Sequence, residues 1–303
     1  MTISLKAYAK INLFLDVMGR REDGYHDIRS LMQTVSLYDT VTVSVSDKRD
    51  GAITLECDNA GVPCNEKNLA YRAAMLFYDE FGEKKETHIK IEKRIPVSAG
   101  LAGGSTDAAT VFVALNRLTG EPFSNAVLCA IGKKLGADIP FCILGGTAEV
   151  SGIGDVLTPL PDMSPLPIVV VKDGEGVSTP EAYRSLDAIF DGFTGQYAGG
   201  TAETGRYEAL LSCLRNGDTD AISKNLYNVF EPAILPHHSK ASELKEFLLS
   251  SGAASAMMSG SGPSVFGIFR DNGSAERSAS ILNEGRETPI AFAVHPVGRG
   301  GVR

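Results

Sequence analysis

Every odd position from Ile3 to Val17 is apolar: Ile3, Leu5, Ala7, Ala9, Ile11, Leu13, Leu15 and Val17. The even positions hold Thr2, Ser4, Lys6, Tyr8, Lys10, Asn12, Phe14 and Asp16. Such alternation fits a strand, because strand side chains point to opposite faces with a period of two. It predicts one buried face, with Tyr8, Lys10 and Asn12 side by side on the other. A turn follows at Asp23-Gly24, and "DTVTVSVSD" alternates again through Val41, Val43 and Val45.

The next stretches switch period. "NLAYRAAMLFYDEFG" reads as a helix ending at Gly82, and "THIKIEKRIPV" as a strand through Ile89 and Ile91. Ala108, Phe112, Leu115 and Leu118 recur at helical spacing before Gly120. "NAVLCAIGKKLG" is another helix, closed by Gly136, and "DIPFCILGGTAEVSGIGDVLTPLP" reads as extended chain with glycine turns. Proline and short polar residues in "PDMSPLP" (161–167) interrupt every regular pattern. We therefore expect two domains, residues 1–160 and 161–303.

In the second half, "IVVV" is a buried-strand run. "STPEAYRSL" reads as a helix capped by Ser178 or Thr179, with Pro180 in its first turn. "FDGFTGQYAGGTAETG" is glycine-rich and is expected to be a mobile loop. "ELKEFLLSSG" is a helix, two short strands flank Gly260-Ser261-Gly262-Pro263, and "TPIAFAVHPV" is a last strand. There is no internal repeat and no regular β-α-β alternation, which predicts α+β rather than a doubly wound sheet.

The chain has 303 residues and a net charge of −8. That balance argues against long nucleic acid, whose binding rests on a basic face, but not against a small anion. Five cysteines, an odd number with no C-x-x-C pair, argue against a disulfide framework and a zinc site. No secretory leader pattern and no membrane-length apolar run is seen, so a cytoplasmic protein is expected. Monomer and homodimer both remain open.

"PVSAGLAGGSTDAAT" (96–110) places Gly100, Gly103, Gly104, Ser105 and Thr106 at the start of a helix. Helix starts expose unpaired N–H groups with partial positive charge, and glycines let backbone curl around phosphate oxygens. A plain turn capped by Ser105 is the other reading. The loop lacks the lysine of G-x-x-x-x-G-K-[ST] and the spacing of G-x-G-x-x-G, so it is neither a P-loop nor a dinucleotide fingerprint.

The order of motifs decides between these readings. "PVSAGLAGGSTDAA" resembles P-x-x-x-G-L-x-[GS]-S-[ST], the ATP loop of the GHMP kinases. "MMSGSGPSVFGIF" resembles that superfamily's C-terminal glycine motif. "YAKINLFLDVMGRREDGYHDIRSLMQTVSLYD" and "LGADIPFCILGGTAEVSGIGD" resemble one branch of it, whose substrate is cytidine diphosphate methylerythritol.

The resemblance implies a ribosomal-protein-S5-domain-2-like N-terminal domain, a ferredoxin-like C-terminal domain, and an active site in the cleft between them. It implies transfer of the γ-phosphoryl group of ATP, with Mg²⁺, to the 2-hydroxyl of that substrate. Asp138 is then the base and Lys10 its cationic partner, which suits a buried carboxylate kept charged beside an ammonium. By the same resemblance Pro96, Gly100, Leu101, Gly103, Gly104, Ser105 and Thr106 hold ATP, with Asn68, Leu69 and Lys93 near the adenine and the loop entrance. Asn12, Tyr25, His26, Thr179 and Tyr183 join Asp138 around the substrate, the aromatic rings and the imidazole taking the cytosine. No acidic residue is identified as a metal ligand; Ser105 can reach a Mg²⁺ carried by ATP. Ala99 and Ala102 stand where related loops often have glycine, and a positive φ at either would be strained. Homoserine kinase, mevalonate kinase and diphosphomevalonate decarboxylase keep the superfamily with another substrate. A nucleotide-binding regulator without catalysis is disfavoured by the presence of both Lys10 and Asp138.

Overall fold

The structure is a computed structural model that describes residues 1–46, 51–174, 176–190, 200–216, 218–284 and 288–299. Two long strands, β1 (Thr2–Arg20) and β2 (His26–Val45), form an antiparallel pair around the turn at Gly24. They are followed by β3 (Ile53–Cys57), α1 (Leu69–Phe81), β4 (Thr87–Glu92) and α2 (Gly103–Leu118). Next come α3 (Asn125–Lys133), α4 (Ile139–Leu144), β5 (Thr147–Ser151) and β6 (Val156–Pro159). The strands make one sheet in the order β3-β4-β2-β1, with β5 on the earlier part of β2 and β6 on β5. Val41, Val43, Ile89 and Ile91 pack on Ala73 and Phe77 of α1 and on Phe112 and Leu115 of α2. Each such large side chain contributes about 1.5–3 kcal/mol on burial.

The alternation in β1 predicts one buried face, yet from Ala9 to Val17 both faces are covered. Irregularities in pairing between Tyr8 and Lys10 and between Asn12 and Phe14 turn the strand. Its far half is then covered by the later part of the chain, Ile11, Leu13 and Phe14 sharing a cluster with Ile168, Leu210 and Phe266.

That later part contains β7 (Ile168–Lys172), α5 (Thr179–Ile189), α6 (Gly200–Asn216), α7 (Thr219–Lys224), β8 (Tyr227–Asn228) and α8 (Glu231–Ile234). It ends with α9 (Ser239–Ser250), β9 (Ser255–Met258), β10 (Val265–Ile268), α10 (Asn272–Asn283) and β11 (Ile290–Val294). The second sheet is antiparallel in the order β11-β7-β10-β9. With α9 and α10 as the two crossing helices, this is the β-α-β-β-α-β order of a ferredoxin-like layer. Val169, Val171 and Val265 face Leu248 of α9 and Ala275 and Ala279 of α10. Ile168, Val170 and Phe266 face β1.

The halves interlock. β8 pairs in parallel with β1 through Phe14 and Leu15. Residues 295–299 return to the first sheet: Val297 N donates to Thr34 O at 2.9 Å, and Arg299 bridges Gly145. Arg299 N also donates to Asp162 Oδ1 at 2.9 Å.

Three expectations change. Residues 139–144 are the helix α4, not extended chain: Pro140 sits in the first turn, and Gly145, at φ 66°, ends it. Five of its six residues are buried, so no amphipathic period is visible. β2 begins at His26, well before the alternating valines, because its earlier half is buried on both sides. The stretch expected as a mobile loop (190–205) overlaps α6 from Gly200 onward, and its residues 191–199 lie outside the described residues.

Candidate active site

The loop between β4 and α2 is shaped from beneath by charge. Lys93 Nζ, buried, donates to Asp39 Oδ2 at 2.5 Å and to Asp107 Oδ2 at 2.8 Å. Asp39 Oδ1 accepts from Arg94 N at 2.6 Å and Ile95 N at 2.8 Å, which fixes the entry to the loop. Burial pushes the Asp107 carboxyl up to about 7, against the pull of Lys93. Burial alone would lower the Lys93 ammonium, but the two carboxylates outweigh it and raise it.

Beyond Ile95, Ser98 (φ 52°), Gly100 (φ 72°) and Ala102 (φ 58°) are left-handed. Alternating handedness turns successive peptide N–H groups to one side, the geometry of an anion nest. The first helical bond of α2 runs from Thr106 N to Ala102 O at 2.9 Å. The N–H groups of Gly103, Gly104 and Ser105 therefore have no acceptor within the helix. The expected strain falls on Ala102, which precedes the helix in a left-handed conformation.

A second glycine turn closes on this loop. A Cβ on Gly100 would stand 2.1 Å from Ser259 O, and one on Gly260 would stand 2.8 Å from Gly100 O. Only glycine permits so close an approach. On the other side, Lys10 N of β1 donates to Leu101 O at 3.2 Å.

Lys10 is buried, and its ammonium donates to Asn12 Oδ1 at 2.6 Å. Asn12 Nδ2 donates to Ser30 Oγ at 2.8 Å, which donates to Phe14 O at 2.6 Å. This relay fixes the lysine's direction. Asp138 stands at the start of α4, and its side chain does not cap the helix. Burial pushes the Cys142 thiol well up; Asp138 adds to that shift and Lys10 opposes it, so both charges lie near this sulfur. The resemblance implies a direct Lys10–Asp138 pair. Among the described residues no such ion pair forms: the ammonium is turned to Asn12.

His26 Nε2 lies 2.9 Å from Asp187 Oδ1, and its ring stacks on Tyr183 with centroids 4.5 Å apart and planes at 20°. Phe230 meets Tyr183 edge-on at 5.0 Å. Burial pushes the Tyr183 phenol up, with Asp138 and Asp187 adding to the shift. Tyr25 is 61% exposed at the rim. Thr179 Oγ1 lies 3.5 Å from Ser261 Oγ.

The glycine loop, Lys10, Asp138 and the His26–Tyr183 layer open onto one cleft of about 830 Å³. Lys10, Asn12, Tyr25, His26, Asp138, Thr179 and Tyr183 line it, as do Leu69, Gly100, Gly103, Gly104 and Ser105. Five predicted residues are not on its wall. Leu101 and Thr106 are buried beneath the loop, and Pro96 lies at its entry. Asn68 caps α1, its Oδ1 accepting from Ala70 N at 2.8 Å and its Nδ2 donating to Pro63 O at 2.8 Å. Lys93 is held by its two carboxylates. The side chains of Asn68 and Lys93 are thus both engaged by neighbouring protein groups.

Sequence reasoning missed Arg20, Arg184 and Asp187, which also line the cleft. Arg184 and Asp187 follow Tyr183 in the helix already recognised, so helical spacing from Tyr183 could have found Asp187. Arg20 sits at the far end of β1 and carried no signal.

An anion-binding loop clasped by a second glycine turn, on an S5-like and a ferredoxin-like layer, defines a small-molecule kinase of the GHMP class. Residues 68–146 match the GHMP kinases N terminal domain, and residues 210–286 match the GHMP kinases C terminal domain. The 4-diphosphocytidyl-2-C-methyl-D-erythritol kinase of Clostridium perfringens is 45% identical over 280 residues, 92% of this chain and 93% of that one. That of Acetivibrio thermocellus is 42% identical over 284 residues, 94% of each chain. A crystal structure of 4-(cytidine 5'-diphospho)-2C-methyl-D-erythritol kinase superposes with a TM-score of 0.77 at 34% identity, covering 98% of this chain and all (100%) of that one. The chain belongs to the 4-diphosphocytidyl-2-C-methyl-D-erythritol kinase family of GHMP kinases. Homoserine kinase from Cytophaga hutchinsonii shares the fold, with a TM-score of 0.80 at 20% identity over 100% of this chain and 96% of that one.

Proposed function

We propose that the protein transfers the γ-phosphoryl group of ATP to the 2-hydroxyl of 4-diphosphocytidyl-2-C-methyl-D-erythritol, giving the 2-phosphate and ADP. The reaction belongs to the non-mevalonate route to isoprenoid precursors. One observation carries the reading beyond family membership. A single cleft holds an anion-binding loop, a carboxylate that caps nothing, and an aromatic–imidazole layer suited to a pyrimidine.

Phosphoryl transfer asks mainly for positioning and neutralised charge. The N–H groups of Gly103, Gly104 and Ser105 cradle the ATP phosphates. The substrate hydroxyl attacks the γ-phosphorus, the bond to the β-bridging oxygen breaks, and ADP departs. Asp138 takes the hydroxyl proton. Lys10 meets the charge of the moving phosphoryl group. Base–aromatic stacking on Tyr25 or Tyr183 is worth about 1–3 kcal/mol.

Mg²⁺ enters with ATP. Among the described residues there is no cluster of three or more His, Cys, Asp or Glu that could hold a metal. The donor near the loop is the Ser105 hydroxyl, which fits an ion held mostly by phosphate oxygens and water. Among the described residues no helix is long and apolar enough to cross a membrane.

The test is a coupled ADP-release assay with Mg·ATP and three alcohols: the cytidylyl substrate, homoserine and mevalonate. Turnover with the first alone is expected. Turnover with either other alcohol, and none with the first, overturns the substrate and leaves the kinase.

A further inference from the structure

We propose that Asn228 is a positioning residue for phosphoryl transfer. Its buried side-chain amide holds the glycine turn at 259–262 against the phosphate loop, and so sets where the phosphates of ATP lie. The inference rests on the kinase reading above and adds to it a residue that is not on the cleft wall.

β8 is only two residues long, yet it stands where the two halves of the chain meet. Asn228 pairs with Leu15 of β1, and Val229 N donates to Leu15 O at 2.9 Å. The Asn228 side chain reaches the other way. Its Nδ2 donates to Met258 O at 2.7 Å, at the end of β9, and to Gly260 O at 2.9 Å, within the turn. Its Oδ1 accepts from Phe230 N at 2.9 Å. Both amine hydrogens and the carbonyl are thus engaged in a residue 2% exposed, where water cannot take over a lost bond.

What the amide holds is the part of the turn that meets the loop. A Cβ on Gly260 would stand 2.8 Å from Gly100 O and 3.3 Å from Lys10 Nζ, so the Gly260 backbone lies against both. Gly260 and Ser261 line the cleft, and Asn228 stands behind them. Glu231 Oε1 accepts from Met258 N at 2.9 Å, so side chains from the β8–α8 segment fix both polar groups of the Met258 backbone just before the turn. A phosphate loop works by aiming N–H groups at fixed points, and a misplacement of about 1 Å can cost roughly 100-fold in rate.

The two ends of the amide serve different sides of the cleft. Nδ2 serves the turn and the ATP loop. Oδ1 serves Phe230, which packs edge-on against Tyr183. Asn228→Asp separates them: it has nearly the same shape and keeps an acceptor for Phe230 N, but puts an oxygen where Nδ2 faced two carbonyls. The experiment measures Kd for Mg·ATP and for CDP by calorimetry, from pH 8 to pH 6, together with kcat/KM for ATP. The charged groups around the amide are Lys10 across Gly260, Asp16 beside Leu15 on β1, and Glu231 with Lys245. They are the same in wild type and variant, so the ratio of the two isolates position 228.

At pH 8, Asn228→Asp should weaken Mg·ATP roughly tenfold or more and lower kcat/KM for ATP at least as much, with CDP within about twofold of wild type. As pH falls the buried carboxyl takes up a proton, its O–H donates to one carbonyl again, and the loss should shrink. Ser259→Ala removes the hydroxyl bond to Gly100 O and leaves Asn228 in place; it should weaken ATP in smaller measure and spare CDP. Wild-type ATP affinity in Asn228→Asp overturns the proposal. So does an equal loss of ATP and CDP, or a loss that does not change with pH, since either marks a merely structural role. Should Asn228→Asp not fold, Ser259→Ala decides: a selective loss of ATP supports the proposal, and wild-type affinity overturns it. Binding of ATP needs no acceptor alcohol, so a wild type that binds ATP but neither binds CDP nor phosphorylates the cytidylyl substrate overturns the substrate reading alone, and the ATP measurements still judge Asn228.

Discussion

The Ser259 hydroxyl donates to the Gly100 carbonyl at 3.1 Å, across 159 residues of chain. The phosphate-type loop is thus held by the glycine turn of the other sheet. Gly100 is at φ 72°, and an added Cβ would meet Ser259 O at 2.1 Å. Gly100→Ala should therefore raise KM for ATP at least tenfold and lower stability by about 2 kcal/mol or more. ATP titration and urea unfolding check this; wild-type values in both would show that the clasp is dispensable.

Asp138→Asn keeps the shape and removes the base. We expect kcat to fall roughly 10²–10⁴-fold, with ATP binding within a few-fold of wild type. Single-turnover ADP release measures the step directly, and full turnover in the variant would remove Asp138 from proton transfer.

Ala102 sits at φ 58°, where an L-residue costs about 1–2 kcal/mol. Glycine relieves that strain but loses about 0.5–1 kcal/mol of backbone entropy on folding. Ala102→Gly should raise stability by up to about 1 kcal/mol, seen as a small upward shift of the unfolding midpoint in calorimetry. A lower midpoint would contradict the left-handed conformation.

The Asp107 carboxyl is pushed by burial from the ordinary 3.8 up to about 7. Between those values the folded protein keeps a proton that the unfolded chain has lost. Stability therefore falls as pH rises from about 4 to about 7, and this contribution is flat above. Urea midpoints at several pH values should show that decline in wild type and a shallower one in Asp107→Asn. Parallel pH profiles in the two proteins would rule Asp107 out.

Cys64 is exposed, whereas Cys142 is buried and its thiol is pushed far above the ordinary range. Cys129 is pushed up to about 11. Alkylation at pH 8 should label Cys64 first and Cys142 only on unfolding. Because Cys142 N donates to Asp138 O at 3.0 Å, early labelling of Cys142 would mean that α4 opens in the folded protein.

Much of this architecture is legible in the sequence where burial is one-sided. The alternation of Val41, Val43 and Val45 and the caps at Ser178 and Gly82 each correspond to an element edge or face in the structure. α4 was illegible because it is apolar and buried nearly all round, and the early half of β2 because buried polar residues, Ser30, Gln33 and Thr34, break its alternation. Within the site, Lys10 and Asp138 stand out only through motif resemblance. The partners of Lys93 were hidden too, since its two carboxylates come from Asp39 and Asp107, one of them 54 residues away. Helical spacing from Tyr183 points to Asp187, but its pairing with His26, 161 residues away, shows only in the fold.

The return of residues 295–299 to the first sheet also sets a clock. Gln33 Nε2 donates to Val297 O, 264 residues away. At ribosomal speeds of roughly 5–20 residues per second, Gln33 is synthesised on the order of 10–50 s before that partner exists. The Gly145-Gly146 turn behind the Asp138 helix waits for the same strap, since Gly145 bridges Arg299. The nucleotide loop waits as well, since its clasp comes from Ser259, so both the loop and the wall that carries the base are completed late in synthesis.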